Sequence, residues 1–167
     1  MNEIVKEVSD YNQRFKLVQN EALGAILIHV CANAYFDESM KLRHLPLELA
    51  LLTLPLVFNE RFCLTFYKMR SSSALFRLMI DNPQLRVGIQ KRVESLAKLT
   101  FRALDIGNST GLFNYDSTTQ TFQALKLKIP DDIKNSNSEM FYCADKLGRG
   151  FLSLGFNQVS TLLGVRY

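Results

Sequence analysis

From about Val18 to Phe36, the apolar residues Leu23, Ile26, Leu27, Val30, Cys31 and Ala34 return at the three-and-four spacing of a helix face. Asn20 stands where a side-chain oxygen caps the first turn of such a helix. The polar stretch DESMKLRH (37–44) ends the pattern. Pro46 then supplies the preset φ that opens a second helix, running through Leu47 to about Asn59. Pro55 falls inside that apolar run, where it removes a backbone donor and clashes with the preceding turn, so a kink or break is expected there. Ser71, Ser72 and Ser73 are candidate caps for a short helix, ALFRLMID, which should stop before Asn82-Pro83 because a residue preceding proline avoids the helical region.

Pro83 begins the next predicted helix, about Pro83 to Asp105, the clearest amphipathic pattern in the chain. It places Leu85, Ile89, Val93, Leu96, Thr100, Ala103 and Leu104 on one side and Arg86, Lys91, Glu94, Lys98 and Arg102 around the other. After Gly107 the period changes. LFNY (112–115) and TFQALKL (121–127) flank a polar turn at 116–120 and read as one β-hairpin. Pro130, Asp131 and Asp132 punctuate its end, and Ser136 or Ser138 caps a helix from about Glu139 through Leu147. Gly148, Gly150 and Gly155 predict irregular backbone before a last short helix, about Asn157 to Leu163, and the apolar, aromatic ending Val165-Arg166-Tyr167 is expected to be docked. The fold class is therefore mainly α with one small β-hairpin (about 112–127). A helical lobe, residues 1–80, precedes a winged-helix-like lobe, residues 81–167, across a soft boundary near 71–83.

Composition adds little beyond a globular class: 47% hydrophobic and 22% charged residues in 167 suffice for one sizeable core or two small lobes. Charge placement adds more. The net charge is +4, yet residues 61–102 hold nine Lys/Arg against Asp81 and Glu94, so that segment carries +7 and the remainder −3. Such asymmetry points to a polyanionic or acidic partner or, more plainly, to a solvated helix face. The candidate contact residues are Arg70, Arg77, Arg86, Lys91, Arg92, Lys98, Arg102 and Arg149.

Catalytic chemistry is sparse. His29 sits in an apolar helix and His44 in a polar turn, so neither belongs to a convergent set of acids and bases. Cys31, Cys63 and Cys143 are odd in number, far apart in sequence and flanked by apolar residues, which fits buried thiols and neither a disulfide framework nor a metal site. Gly148-Arg149-Gly150 lacks the spacing of a phosphate-binding loop, and the adjacent pairs Asp131-Asp132 and Asp37-Glu38 lack metal-ligand spacing. No enzyme activity, cofactor or metal is expected. The first twenty residues mix both charge signs without an apolar core, so no signal peptide is predicted, and Leu45–Phe58 is too short to span a bilayer. A cytoplasmic protein with no membrane contact fits these features.

Short motifs in a fixed order carry a resemblance. Asn20-Glu21-Ala22-Leu23 opens the first helix, and Leu45-Pro46-Leu47 and Leu54-Pro55-Leu56-Val57 belong to the second. Ser71-Ser72-Ser73 is followed by Asn82-Pro83-Gln84-Leu85, then Leu112-Phe113, Leu147-Gly148-Arg149-Gly150-Phe151 and Leu162-Leu163-Gly164-Val165-Arg166. In these the chain resembles the middle component of three-component ABC-ATPase systems, a group that includes the small subunit of Lamassu-type anti-phage and anti-plasmid defence. It departs from the family at Arg70-Ser71-Ser72-Ser73, where related sequences tend to carry a Thr/Ser-Arg stretch. The resemblance implies a bacterial complex in which an SMC- or Rad50-like ATPase senses foreign DNA, an effector, often a nuclease, acts on it, and this chain joins the two. It also leaves room for non-specific duplex DNA contact within the complex. The alternative reading is a stand-alone winged-helix DNA-binding regulator, with Arg86, Lys91, Arg92, Lys98 and Arg102 as phosphate contacts.

Overall fold

The computed structural model describes residues 20–70 and 74–167. Helix α1 (Glu21–Glu38) starts where the sequence places it, with Asn20 Oδ1 accepting the Leu23 N–H at 2.5 Å. Such a cap stabilises a helix by about 1 kcal/mol. α1 is buried on several sides, at Leu27 and Ile28 but also at Gly24, Ala25, Cys31 and Ala34, because it is the central helix on which later helices pack.

Helix α2 (Leu47–Val57) follows strand β1 (Leu45–Pro46), with Pro46 at the cap position. Pro55 does not break it. The helix runs on for two residues past the proline, and the chain turns at Phe58-Asn59, short of the predicted end. The proline forfeits its own backbone hydrogen bond and crowds the turn before it, and the helix ends two residues later. The turn itself is made by Asn59, whose Oδ1 accepts from Phe62 N at 3.2 Å and starts helix α3 (Glu60–Lys68) at 94° to α2. Among the described residues no single helix is long and apolar enough to cross a membrane. The apolar α2 is instead enclosed by the protein, with Leu52, Leu54 and Leu56 fully buried.

Helix α4 (Ala74–Asp81) ends before Asn82-Pro83 as predicted, while its serine caps fall outside the described residues. The predicted helix from Pro83 to Asp105 is divided. Pro83–Arg86 forms a 3₁₀ turn, Gly88 takes a left-handed φ of 80°, and helix α5 runs over Ile89–Ser109. The missing Cβ at Gly88 is what permits that conformation and resets the chain direction.

The hairpin forms as strands β2 (Phe113–Asp116) and β3 (Thr121–Ala124). It is not alone: β1 pairs antiparallel with β3, Leu45 opposite Phe122, giving a three-stranded sheet in the order β1-β3-β2. The sheet is pinned to α5 where the Phe113 ring lies over Gly107 and where Asn108 Oδ1 accepts from Tyr115 N at 3.0 Å.

A one-turn helix α6 (Asp131–Ser136), not foreseen from the pattern, leads through Asn137 into helix α7 (Ser138–Leu163). Contrary to expectation, α7 continues through Gly148 and Gly150 and leaves helical geometry only at Gly155 (φ 71°, ψ 165°). The first two glycines are contact points and not breaks. A Cβ on Gly148 would collide with the Cys31 carbonyl and stand 2.9 Å from Ala34 Cβ, and one on Gly150 would stand 2.9 Å from Leu75 Cβ. Residues 165–167 are docked as predicted: Val165 is buried, Arg166 N donates to Gln90 Oε1 at 3.0 Å, and Tyr167 donates its hydroxyl to the Glu48 carbonyl at 2.8 Å. Buried side chains from Leu23 to Val165 form one contiguous cluster. Each of the larger ones contributes roughly 1.5–3 kcal/mol relative to exposure.

Candidate interaction surfaces

The residues singled out for chemistry turn inward. His29 Nε2 lies 2.7 Å from the Leu125 carbonyl and donates to it, tying α1 to the end of β3. His44 stacks on Phe36 with ring centroids 5.0 Å apart. All three cysteines are buried free thiols. Burial pushes the Cys31 thiol up to about 12, and burial followed by the neighbouring Cys63 raises Cys143. A thiol so far from its thiolate is a poor nucleophile.

The basic candidates divide by geometry. Arg86 donates from Nη2 to the Met79 carbonyl at 3.0 Å, and Arg92 donates from Nη2 to the Phe58 carbonyl. Both are half-buried, and burial lowers the Arg92 pKa. These two guanidiniums fasten α5 and the turn before it to the ends of α4 and α2. Lys146, which was not singled out, acts similarly, donating to the Phe66 and Met69 carbonyls at the end of α3. Arg102 pairs with Glu21 at 2.9 Å, and Arg149 pairs with Glu38 at 2.9 Å and Asp145 at 3.0 Å. Glu21 and Glu38 bound an 18-residue helix, so Arg102 and Arg149 lie about 25 Å apart, at opposite ends of α1. Arg70, Arg77, Lys91 and Lys98 are exposed. Lys91 and Lys98, two turns apart on α5, share one side of it.

Apolar surface is the feature that the sequence reading passed over. Phe76 and Ile80, one turn apart on α4, are 47% and 51% exposed, while Leu75, Leu78 and Met79 hold the opposite face in the core. Beside them a groove of about 570 Å³ runs between α4 and the second half of α7, lined by Phe76, Leu154, Asn157, Gln158, Thr161 and Leu162. Residues 150–165 contain no charged side chain, so that flank is purely neutral. A smaller groove of about 280 Å³ lies between α5 and the sheet, where Phe101 and Tyr115 face Leu47 and Phe122 with Asp105 and Asn108 alongside. The signal for the first groove was present in ALFRLMID, which is apolar around most of its circumference and so has more apolar surface than one core-facing side uses.

An apolar, uncharged groove on a helical scaffold suits a helix or extended segment of another protein. The family model for Middle Component 3 of ABC-three component (ABC-3C) systems matches residues 8–167, nearly the whole chain. The chain belongs to that family. No curated protein and no solved structure matches it. Membership in Middle Component 3 makes the chain one part of a multi-component system, and the other components of that system are its partners. The resemblance read from the motifs is thereby borne out at the level of the three-component system.

Proposed function

We propose that this chain is a non-catalytic adaptor of a cytoplasmic bacterial anti-phage and anti-plasmid complex of Lamassu type. In this reading it bridges an SMC- or Rad50-like ABC ATPase to an effector such as a nuclease, and restrains or releases that effector. The observation that carries the reading is the family match over residues 8–167. The α4–α7 groove supports it, because half-exposed Phe76 and Ile80 beside a neutral cleft are surface that gains from a protein partner. One wall of the groove is α4 and the other is the outer half of α7.

Co-expression of the full chain with the ATPase and effector encoded beside it tests the reading. A stable complex is expected on size-exclusion chromatography. The double substitution Phe76→Ser with Ile80→Ser should weaken assembly by about tenfold or more. A chain that elutes alone while the other two components associate without it would sink the proposal.

The DNA-binding alternative has one favourable observation, the sheet order β1-β3-β2 behind α5, which is compatible with a winged helix. Against it, residues 113–124 contain no Lys or Arg, and Arg86 and Arg92 are spent on backbone carbonyls. Fluorescence anisotropy with duplex DNA at several salt concentrations separates the two. The isolated chain is expected to bind feebly, whereas a steep salt slope with tight binding, lost on Lys91→Glu with Lys98→Glu, would favour the regulator.

A further inference from the structure

The loop between α1 and β1 presents apolar side chains in an unusual way. Met40 and Leu42 are 82% and 78% exposed, although each lies next to well-packed structure. Met40 and Lys41 are consecutive non-glycine residues with left-handed φ angles of 54° and 64°. Such conformations cost free energy and persist only where the surroundings hold them. Here Ser39 holds them. Its hydroxyl donates to the Phe36 carbonyl at 2.7 Å and accepts from Leu42 N at 3.2 Å and Arg43 N at 2.9 Å, while Lys41 N donates to the Phe36 carbonyl at 2.9 Å. The loop is thus a fixed, strained knob.

A second exposed element joins it. Leu45 is opposite Phe122 in an antiparallel pair, so the chain before Leu45 and the chain after β3 leave the sheet from the same end. Lys126-Leu127-Lys128, with Leu127 51% exposed, thus follow the sheet at the end where the loop enters it. Together the two segments carry three aliphatic side chains and four cations, Lys41, Arg43, Lys126 and Lys128, at one end of the sheet. Of the carboxylates at that end of α1, Glu38 pairs with Arg149, and Asp37, which accepts from the neutral Asn33 Nδ2 at 3.2 Å, offsets one of the four cations and leaves an excess of positive charge.

We propose that this knob docks into an acidic, apolar cleft on another protein component of the complex, at a surface separate from the α4–α7 groove. The inference rests on the adaptor reading and adds the second surface that joining two partners requires. The cations fix the sign of the cleft. The aliphatic tips favour protein over nucleic acid, because Met and Leu neither pair with phosphates nor stack on bases as aromatic side chains do. A rigid loop loses little conformational freedom on binding, which is the return on its strained backbone.

The test compares wild type, Met40→Glu with Leu42→Glu, and Lys41→Glu with Arg43→Glu, each co-expressed as full chain with the other components. Because these side chains face solvent, melting temperatures should match wild type. Affinity for one component should fall by about a hundredfold in the apolar variant and about tenfold in the charge variant, while the component seated on the α4–α7 groove stays bound. If the wild type assembles and both variants assemble equally well, the knob proposal fails and the adaptor reading stands. If the wild type assembles with nothing, both fail. Retention of the wild type but not the variants by phosphatidylserine vesicles or duplex DNA, with assembly unaffected, overturns the proposal in favour of a lipid or nucleic-acid surface.

Discussion

Before Gly155, helix α7 lies against α1 with Gly148 at the contact, and Met140, Phe141, Cys143, Ala144, Leu147 and Phe151 are buried beneath it. After Gly155 the same helix buries only Val159 and Leu163 and leaves Asn157, Gln158, Thr161 and Leu162 lining a groove. Both halves are rich in small and apolar residues. What separates their uses is how closely the partner backbone approaches. Gly148 lets α7 reach a carbonyl of α1, so side chains interlock, whereas beyond Gly155 the helix faces Phe76 of α4 across an open groove, and Phe76 and Ile80 stay half-exposed. Close approach makes core, and a wider gap between equally apolar helices makes a binding surface.

The contrast is most easily broken at Gly148. Gly148→Val pushes a branched side chain into the Cys31 carbonyl, a backbone atom with nowhere to move. A loss of about 3 kcal/mol or more is expected, seen as a melting temperature lower by about 6–12 °C. A variant that melts with the wild type would mean that the two halves are equally loose.

A pH titration probes the same seam without adding atoms. The Cys31 thiol, raised by burial to about 12 from an ordinary 9.0, keeps its proton in the folded chain after the unfolded chain has lost it. The unfolded state therefore binds fewer protons in that window. The thiol's stabilising contribution, present in full below about 9, is lost as pH rises towards 12, at roughly 1.4 kcal/mol per pH unit. Urea melts at pH 8 and pH 10 should show a fall that shrinks in Cys31→Ala; an unchanged difference between the two proteins would show that the thiol is not sealed.

Gly150→Ala is expected to act more mildly. Its Cβ meets the Leu75 side chain at 2.9 Å, but alanine returns up to about 1 kcal/mol of helix propensity, leaving a net loss of about 1 kcal/mol or less. Differential scanning calorimetry resolves a change of that size. In the outer half, Phe76→Ser and Ile80→Ser should each move stability by about 0.5 kcal/mol, the scale of a surface substitution, while removing the partner. A large drop in melting temperature there would place Phe76 and Ile80 in the core and not at an interface.

Much of this arrangement was legible in the chain. Asn20 before an apolar period, Asn82-Pro83 after ALFRLMID and the polar turn at 116–120 each act through local geometry, and each local signal was obeyed. The misreadings come from tertiary contact. Gly148 and Gly150 look like helix breakers until α1 and Leu75 are seen to occupy the space where their side chains would be. β1 is two residues long, half of it proline, and exists because β3 is beside it. Arg86 and Arg92 belong to the basic stretch 61–102, and only the positions of the Met79 and Phe58 carbonyls reveal that they are turned to the protein. The exposed faces of α4 and the 39–44 loop lay in the same blind spot, since periodicity reports which side is apolar and not how much of it the core can cover.

The small sheet also determines how this chain is not recognised. Leu47 donates its N–H inward to the Gln120 carbonyl, so by alternation the nitrogen of Pro46 faces outward, and it has no hydrogen to offer. On the far side, the outward N–H of Tyr115 is already taken by Asn108. Each margin of the sheet thereby lacks a donor that an incoming strand would use, a feature that discourages edge-to-edge pairing there. The sheet therefore favours partners that read the side chains of this molecule over those that would extend its backbone ladder.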